Sequence, residues 1–188
     1  MIKKTVYTFL ILIIASIIYL NYFGITTNKF NQNIQKKIQK NYPQLDLKLN
    51  DIKILFNISK LSIDLKTDYP IIKLKDQEIK LKTISTTYDV KSFFKKEFAI
   101  KNLLIDTEKN QIKKIIKLAR SYKDSAQLLI IDKIIKTGNA EISTKLNFDK
   151  NGKLKEDKYE VIADVENLSI ELFNKQKIDK ISGNLKFL

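Results

Sequence analysis

The sequence predicts a β-rich α+β protein: an N-terminal transmembrane helix, then a curved antiparallel β-sheet carrying one or two amphipathic helices. Three observations lead there. The 19 residues from Thr5 to Phe23 contain no charge. From Leu45 onward, apolar residues recur at every second position in short runs. Near residues 111–123 the spacing turns helical.

The first run decides the topology. As a helix, Thr5–Phe23 would be about 28 Å long, close to the hydrocarbon thickness of a bilayer. Tyr7 sits near one end and Tyr19, Tyr22 and Phe23 near the other, where interfacial aromatic anchors belong. Lys3 and Lys4 should hold the N-terminus on the cytoplasmic side and send the rest of the chain across the membrane. A cleaved signal peptide would need small residues at its cleavage site, and Asn21-Tyr22-Phe23-Gly24 is bulky. A run apolar on every face also argues against a buried soluble helix. The expected organisation is an anchor at 1–23, a joint and short helix at 24–43, and a sheet domain at 44–188 with a helical insert at about 110–136.

In the joint, Phe30, Ile34 and Ile38 recur every four residues among Asn, Gln and Lys, predicting a short amphipathic helix that Asn41 and Pro43 stop. The period then becomes two. Leu45, Leu47 and Leu49, Ile52 and Ile54, Leu61, Ile63 and Leu65, Ile72 and Leu74, and Ile79 and Leu81 each alternate with polar residues. Each run reads as a half-buried strand with one wet face. The turns fall at 67–70 and 76–78, and such short spacings predict an antiparallel meander. Phe98, Ile100 and Leu103–Ile105 continue it.

Asn110 is placed to cap a helix. Ile112, Ile115, Ile116 and Ala119 form its apolar stripe, with Lys113, Lys114, Lys117 and Arg120 opposite. That stripe suits packing on the sheet better than lying on a membrane, since it has no bulky aromatics. Leu128–Ile135 fits helix or strand equally, and Thr137-Gly138-Asn139 should end it. Strands then resume: Ala140, Ile142, Thr144, Leu146 and Phe148 share a face, Asn151-Gly152 marks a turn, and Val161, Ala163 and Val165 share another face. Leu168, Ile170 and Leu172 do likewise. Ile181, Leu185 and Phe187 begin a last apolar run that leaves one sheet edge open to a partner.

Composition removes whole classes of chemistry. With no His there is no imidazole base or ligand, and with no Cys no disulfide, thiolate nucleophile or thiolate zinc site. Four Gly, at 24, 138, 152 and 183, cannot form a phosphate-cradling loop. No cofactor, metal site or catalytic residue is expected, and the chain is read as a non-enzyme. Residues 24–188 carry +12, yet one of the 35 cations is Arg and the rest are Lys. Lys lacks the planar fork that reads base edges, so nucleic acid is not an expected partner. With 31 Ile and 15 Asn, the Lys excess reads as codon bias on a solvated surface.

The informative feature is extended: many short strands presenting one aliphatic face. Either the helices seal that face into an ordinary core, or part of it stays open as an apolar binding surface.

The order of segments resembles the N-terminal region of AsmA-like proteins. The resemblance is carried by the anchor and by NKFNQNIQKKIQK (28–40), LNDIKI (49–54), LSIDLK (61–66) and IKLKTIS (79–85). It continues through VKSFFKKEFAIKNLLID (90–106), IKKIIKLARSY (112–122) and the strand pair at 140–172 with its Asp-x-Asn-Gly turn. It implies a single-pass protein of the inner membrane, facing the periplasm, whose long β-groove shelters phospholipid acyl chains between inner and outer membranes. It carries no catalytic residues across. Family members that span the envelope are several hundred residues or longer, so a chain of this length could not bridge two membranes alone. On this reading the lipid-lining candidates are Leu61, Ile63, Leu65, Ile72, Leu74, Ile79, Leu81, Ile142, Leu146, Phe148, Val161 and Val165. Two alternatives stand beside it. One is a closed-core scaffold that binds a protein partner along Ile181–Leu188. The other is an LptC-like lipopolysaccharide-export component, against which the helical block at 111–136 argues.

Overall fold

The computed structural model describes residues 2–122, 124–155 and 159–187. Strand makes up 48% and helix 30% of the chain. The N-terminal helix α1 (Ile2–Tyr22) is followed by β1 (Ile25–Thr27), α2 (Asn31–Asn41), β2 (Leu45–Lys48), β3 (Ile52–Asn57) and β4 (Ser62–Asp68). Then come β5 (Ile71–Leu74), β6 (Gln77–Asp89), α3 (Val90–Phe94), β7 (Ile100–Thr107) and β8 (Asn110–Gln111). The chain continues with α4 (Ile112–Tyr122), α5 (Ala126–Ile134), β9 (Ile135–Asn147), β10 (Glu160–Glu171) and β11 (Lys177–Phe187). Window Thr5–Tyr22 of α1 is long and apolar enough to cross a membrane, and none of it is buried against the protein.

The strands form one antiparallel sheet in the order β1-β3-β4-β6-β7-β9-β10-β11, with β2 and β5 paired beside β6 and β8 beside β9. The simple meander is therefore corrected: β4 pairs with β6, not with β5. The reason lies in the length of β6. Its first residues, Gln77–Lys80, pair with β5, and Thr83–Asp89 pair with β4. At the corner Tyr69 takes a left-handed φ of 54°, and Pro70 has no N–H to extend a ladder. The corner is laced to β6 instead, through Tyr69 N–H to the Lys82 carbonyl (2.9 Å) and Leu81 N–H to the Pro70 carbonyl (3.0 Å).

Two local expectations also change. Asn110 does not cap α4; it is buried in β8, where its amide donates to the carbonyls of Lys80 (2.9 Å) and Glu108 and its oxygen accepts from Lys80 N–H. Burial gave this side chain backbone partners across the sheet that outcompeted a local cap. Thr137-Gly138-Asn139 does not end a segment but lies inside β9. Gly138 has φ +138°, and a Cβ there would lie 2.9 Å from Leu168 Cα, so glycine is what lets β10 approach at its register shift. The ambiguous stretch resolves as α5, capped by the Ser125 hydroxyl accepting from Leu128 N–H, with β9 starting at Ile135.

The core sits at one end of the sheet. Helix α4 packs on β6 and β9, and α2 packs on β2. Ile52, Leu74, Ile79, Leu81, Ile116, Ala140 and Ala163 are buried there. Arg120 ties α4 to α5 through Asp132 (2.6 Å) and also binds Asp124 (3.0 Å). The total accessible surface is 13803 Å², against about 9,300 Å² for a compact protein of this mass. The unburied α1 contributes to the excess.

Candidate functional site

Residues paired across an antiparallel ladder project to the same side. Following the register therefore traces each face without ambiguity. One row runs Ile54, Leu65, Thr86, Leu103 and Leu146. The next runs Ile52, Thr67, Ile84, Ile105, Thr144, Val161 and Phe187. Phe56, Ile63 and Tyr88 form a third, and Ile142, Ala163 and Leu185 a fourth. These rows make one aliphatic and aromatic face across seven strands. The opposite face carries rows such as Leu55, Asp64, Thr87, Asn102 and Asn147, which is polar in all but its first member.

The apolar face is covered unevenly. At the α4 end it is a packed core. Beyond it, Ile54, Phe56, Ile63, Leu65, Tyr88, Leu103 and Leu146 are only partly buried, and Leu185 and Phe187 on the edge strand β11 are more than half exposed. The twelve lining candidates divide accordingly. Ile63, Leu65, Ile142, Leu146, Val161 and Val165 lie together on the shared face. Leu74, Ile79 and Leu81 are sealed in the core, and Ile72 pairs with Ile79 beside them. Leu61 is not on a strand: it sits in the turn before β4 with φ 47°. Phe148 follows β9 and packs edge-to-face on Phe98, ring centroids 5.7 Å apart.

Several residues of this face escaped the sequence reading. Ile84 and Tyr88 are hidden in the polar run Thr83–Asp89. A bulge at Lys82 shifts the phase there, since Leu81 pairs with Thr107 but Thr83 with Asp106. Leu81 and Ile84 thus face the same side although three residues apart. Phe56, Leu103 and Ile105 do follow alternation, and register alone joins them to the rest.

The direction of α1 orients this face. β1 runs antiparallel to β3, with Ile25 opposite Ile54 and Thr27 opposite Ile52. One turn earlier, the Asn21 carboxamide oxygen accepts a hydrogen bond from Ile58 N–H (3.4 Å). Helix α1 therefore rises past the Asn57–Leu61 turn. The partly buried Ile54, Phe56, Ile63 and Tyr88 lie toward this same end, the packing of α4 lies toward the other, and the exposed Leu185 and Phe187 lie on the far edge strand. The α3 segment and the Asp149–Leu154 loop complete the end beside α1. Between them is a mixed cavity of about 560 Å³, lined by Lys91, Lys95, Lys101, Phe98 and Phe148 among others.

Electrostatics at this end are those of ordinary ion pairs. Lys101 binds Asp89 (2.7 Å) and, with the backbone N–H of Lys91, holds its carboxyl below the usual range despite partial burial. Asp149 is lowered by the N–H groups of Lys153 and Asn151, which it accepts to close its turn. On the polar face Asp106 accepts from the Thr83 and Ser143 hydroxyls (2.8 and 2.6 Å). The shifted carboxyls are all lowered, the opposite of what a general acid at neutral pH needs. Among the described residues, no group of three or more His, Cys, Asp or Glu is placed to hold a metal. The candidate site is a sheet face lined chiefly by aliphatic and aromatic side chains. Comparison with protein-family models, curated proteins and solved structures returned no match, so the resemblance to AsmA-like proteins rests on segment order alone.

Proposed function

We propose that this is a membrane-anchored, non-enzymatic protein that binds phospholipid acyl chains on its open sheet face, as an AsmA-like lipid carrier of the bacterial envelope would. Helix α1 is the single inner-membrane span, with Lys3 and Lys4 cytoplasmic and the sheet in the periplasm. The observation that carries the reading is the continuous apolar face, only partly buried at the end from which α1 departs and exposed along β11. An aliphatic surface of that extent binds something apolar, and acyl chains are what the adjoining bilayer supplies. The approach of the last turn of α1 to β3 and the Asn21–Ile58 hydrogen bond favour a retained anchor over a cleaved leader, because cleavage would strip β3 of these partners. Binding of acyl chains needs no chemistry from the protein, which accords with acids committed to salt bridges and turns.

The test is site-specific photo-crosslinking in cells, with the photoreactive residue at Leu65, Leu103 or Leu146. Lipid adducts are expected there and not at Asp64 or Asn102 on the reverse face. Adducts absent from all three apolar positions would refute lipid binding on this face.

One observation favours a second reading. Among the described residues β11 pairs with β10 alone, and it exposes Ile178, Leu185 and Phe187. An edge of this kind accepts a strand from a partner protein, as the scaffold alternative expects for Ile181–Leu188; Leu188 itself lies outside the described residues. Protein adducts from Ser182 or Asn184, without lipid adducts from Leu65, would establish it.

A further inference from the structure

We infer that the end of the sheet beside α1 docks directly on anionic phospholipid headgroups of the bilayer that α1 crosses. The inference rests on the reading of α1 as an anchor, but not on the sheet carrying acyl chains.

The first support is the lack of a flexible linker. The apolar run ends at Phe23, the left-handed Gly24 follows, and β1 already pairs at Ile25. Asn21 lies level with Ile58. Tyr19 and Phe23 stack 5.2 Å apart in this last turn, where aromatic residues mark the water–hydrocarbon boundary. The boundary is therefore within about one helical turn of the Asn57–Leu61 turn, and the sheet has no length of chain with which to stand off from it.

The second support is what this end displays. Phe94 is 78% exposed, and Leu61, Phe98 and Leu154 are each at least 40% exposed. Such side chains are costly in water but settle readily into the headgroup layer. Around them Lys60, Lys95, Lys96 and Lys153 are exposed and, among the described residues, form no salt bridge; by contrast Lys150 meets Glu97 and Lys101 meets Asp89. Exposed lysines at a bilayer surface are drawn to anionic lipid and act within a Debye length. A Lys point charge, unsuited to reading bases, suits diffuse attraction to phosphate. The cavity in this end is lined by five lysines, at 91, 95, 101, 150 and 155, against three carboxylates, Asp89, Glu97 and Asp149, an excess of positive charge that a headgroup phosphate would meet. Docked this way, the open apolar face begins at the membrane surface.

The experiment uses the full chain in vesicles of phosphatidylcholine, with or without phosphatidylglycerol. The chain has no cysteine, so single cysteines at Phe94, Leu154, Tyr122 and Ile11 can carry an environment-sensitive fluorophore. Lipids with headgroup nitroxides or brominated tails act as quenchers. Headgroup nitroxides should quench the Phe94 and Leu154 labels several-fold more than the Tyr122 label at the far end of α4. Phosphatidylglycerol should deepen that quenching, and K60Q/K95Q/K96Q/K153Q should remove the increase while leaving quenching in pure phosphatidylcholine unchanged. Brominated tails should quench Ile11 throughout. If Ile11 is quenched and the Phe94 and Leu154 labels behave like Tyr122, docking is overturned and the anchor stands. If Ile11 is not quenched, the anchor falls and docking falls with it. Quenching at Phe94 and Leu154 that ignores both phosphatidylglycerol and the lysines would overturn recognition of anionic lipid.

Discussion

Gly24 lies so close against the Ile54 carbonyl that a side chain cannot fit between them. Its φ is +70°, and a Cβ would also meet the Leu55 side chain at 2.8 Å. This contact, with the Asn21–Ile58 hydrogen bond, ties the end of the apolar helix to the sheet. It therefore determines which end of the sheet stands nearest any membrane that α1 enters.

Gly24→Val should be costly on two counts, the left-handed backbone and the clash with β3. A loss of about 2 kcal/mol or more is expected. Thermal unfolding of the full chain in detergent checks it, and a stability equal to that of the parent would mean that α1 does not dock on β3 as described.

Thr67 is 5% exposed on the apolar face, paired with Ile52 and Ile84, and its hydroxyl oxygen has no hydrogen-bond partner among the described residues. A buried unpaired hydroxyl costs about 1–3 kcal/mol. Thr67→Val keeps the shape and removes that penalty, so it should stabilise the chain by about 1 kcal/mol, or about 2–4 °C in Tm. Destabilisation would reveal a polar partner for Thr67.

The two ends of the apolar face should respond differently to truncation. Leu81 is 2% exposed beneath α4, and Leu81→Ala should cost about 2–5 kcal/mol. Leu65, on the same face but only partly buried, should cost about 1 kcal/mol when changed to Ala. Denaturant titration distinguishes them. Equal penalties would mean that the face is sealed along its whole length.

The Asp89–Lys101 pair should leave a signature in acid. The folded-state pKa of Asp89 is depressed, chiefly by its hydrogen bond to Lys101, so the carboxylate favours folding above the unfolded value of about 4. That contribution disappears as pH falls from there through the lower folded value. Asp89→Asn should therefore lower Tm at neutral pH, and the gap from the parent should close below about pH 4. A gap that persists in acid would place the effect in packing and not in charge.

How legible this molecule was depends on the range of the interaction. Thr5–Phe23 declares a helix because nineteen uncharged residues have no other economical way to satisfy their backbone away from water. Leu45–Leu49, Leu61–Leu65 and Ala140–Leu146 declare strands because a period of two is written within each segment. The stripe of Ile112, Ile115 and Ile116 foretold a helix lying on the sheet. Each of these is a short-range pattern, set by the geometry of one element.

What the sequence determined by itself is therefore the kind of element at each position and the side that is apolar. Only the tertiary structure decided which elements became neighbours. It placed β4 against β6, moved Asn110 from a helix cap into the sheet, ran β9 through Gly138, and left one apolar face sealed at Leu81 and only partly covered at Leu65. The physical reason is that pairing and coverage are contests between distant segments. Neither Leu81 nor Leu65 carries any local mark of whether α4 will reach it; the length of β6, the bulge at Lys82 and the corner at Pro70 settle that together.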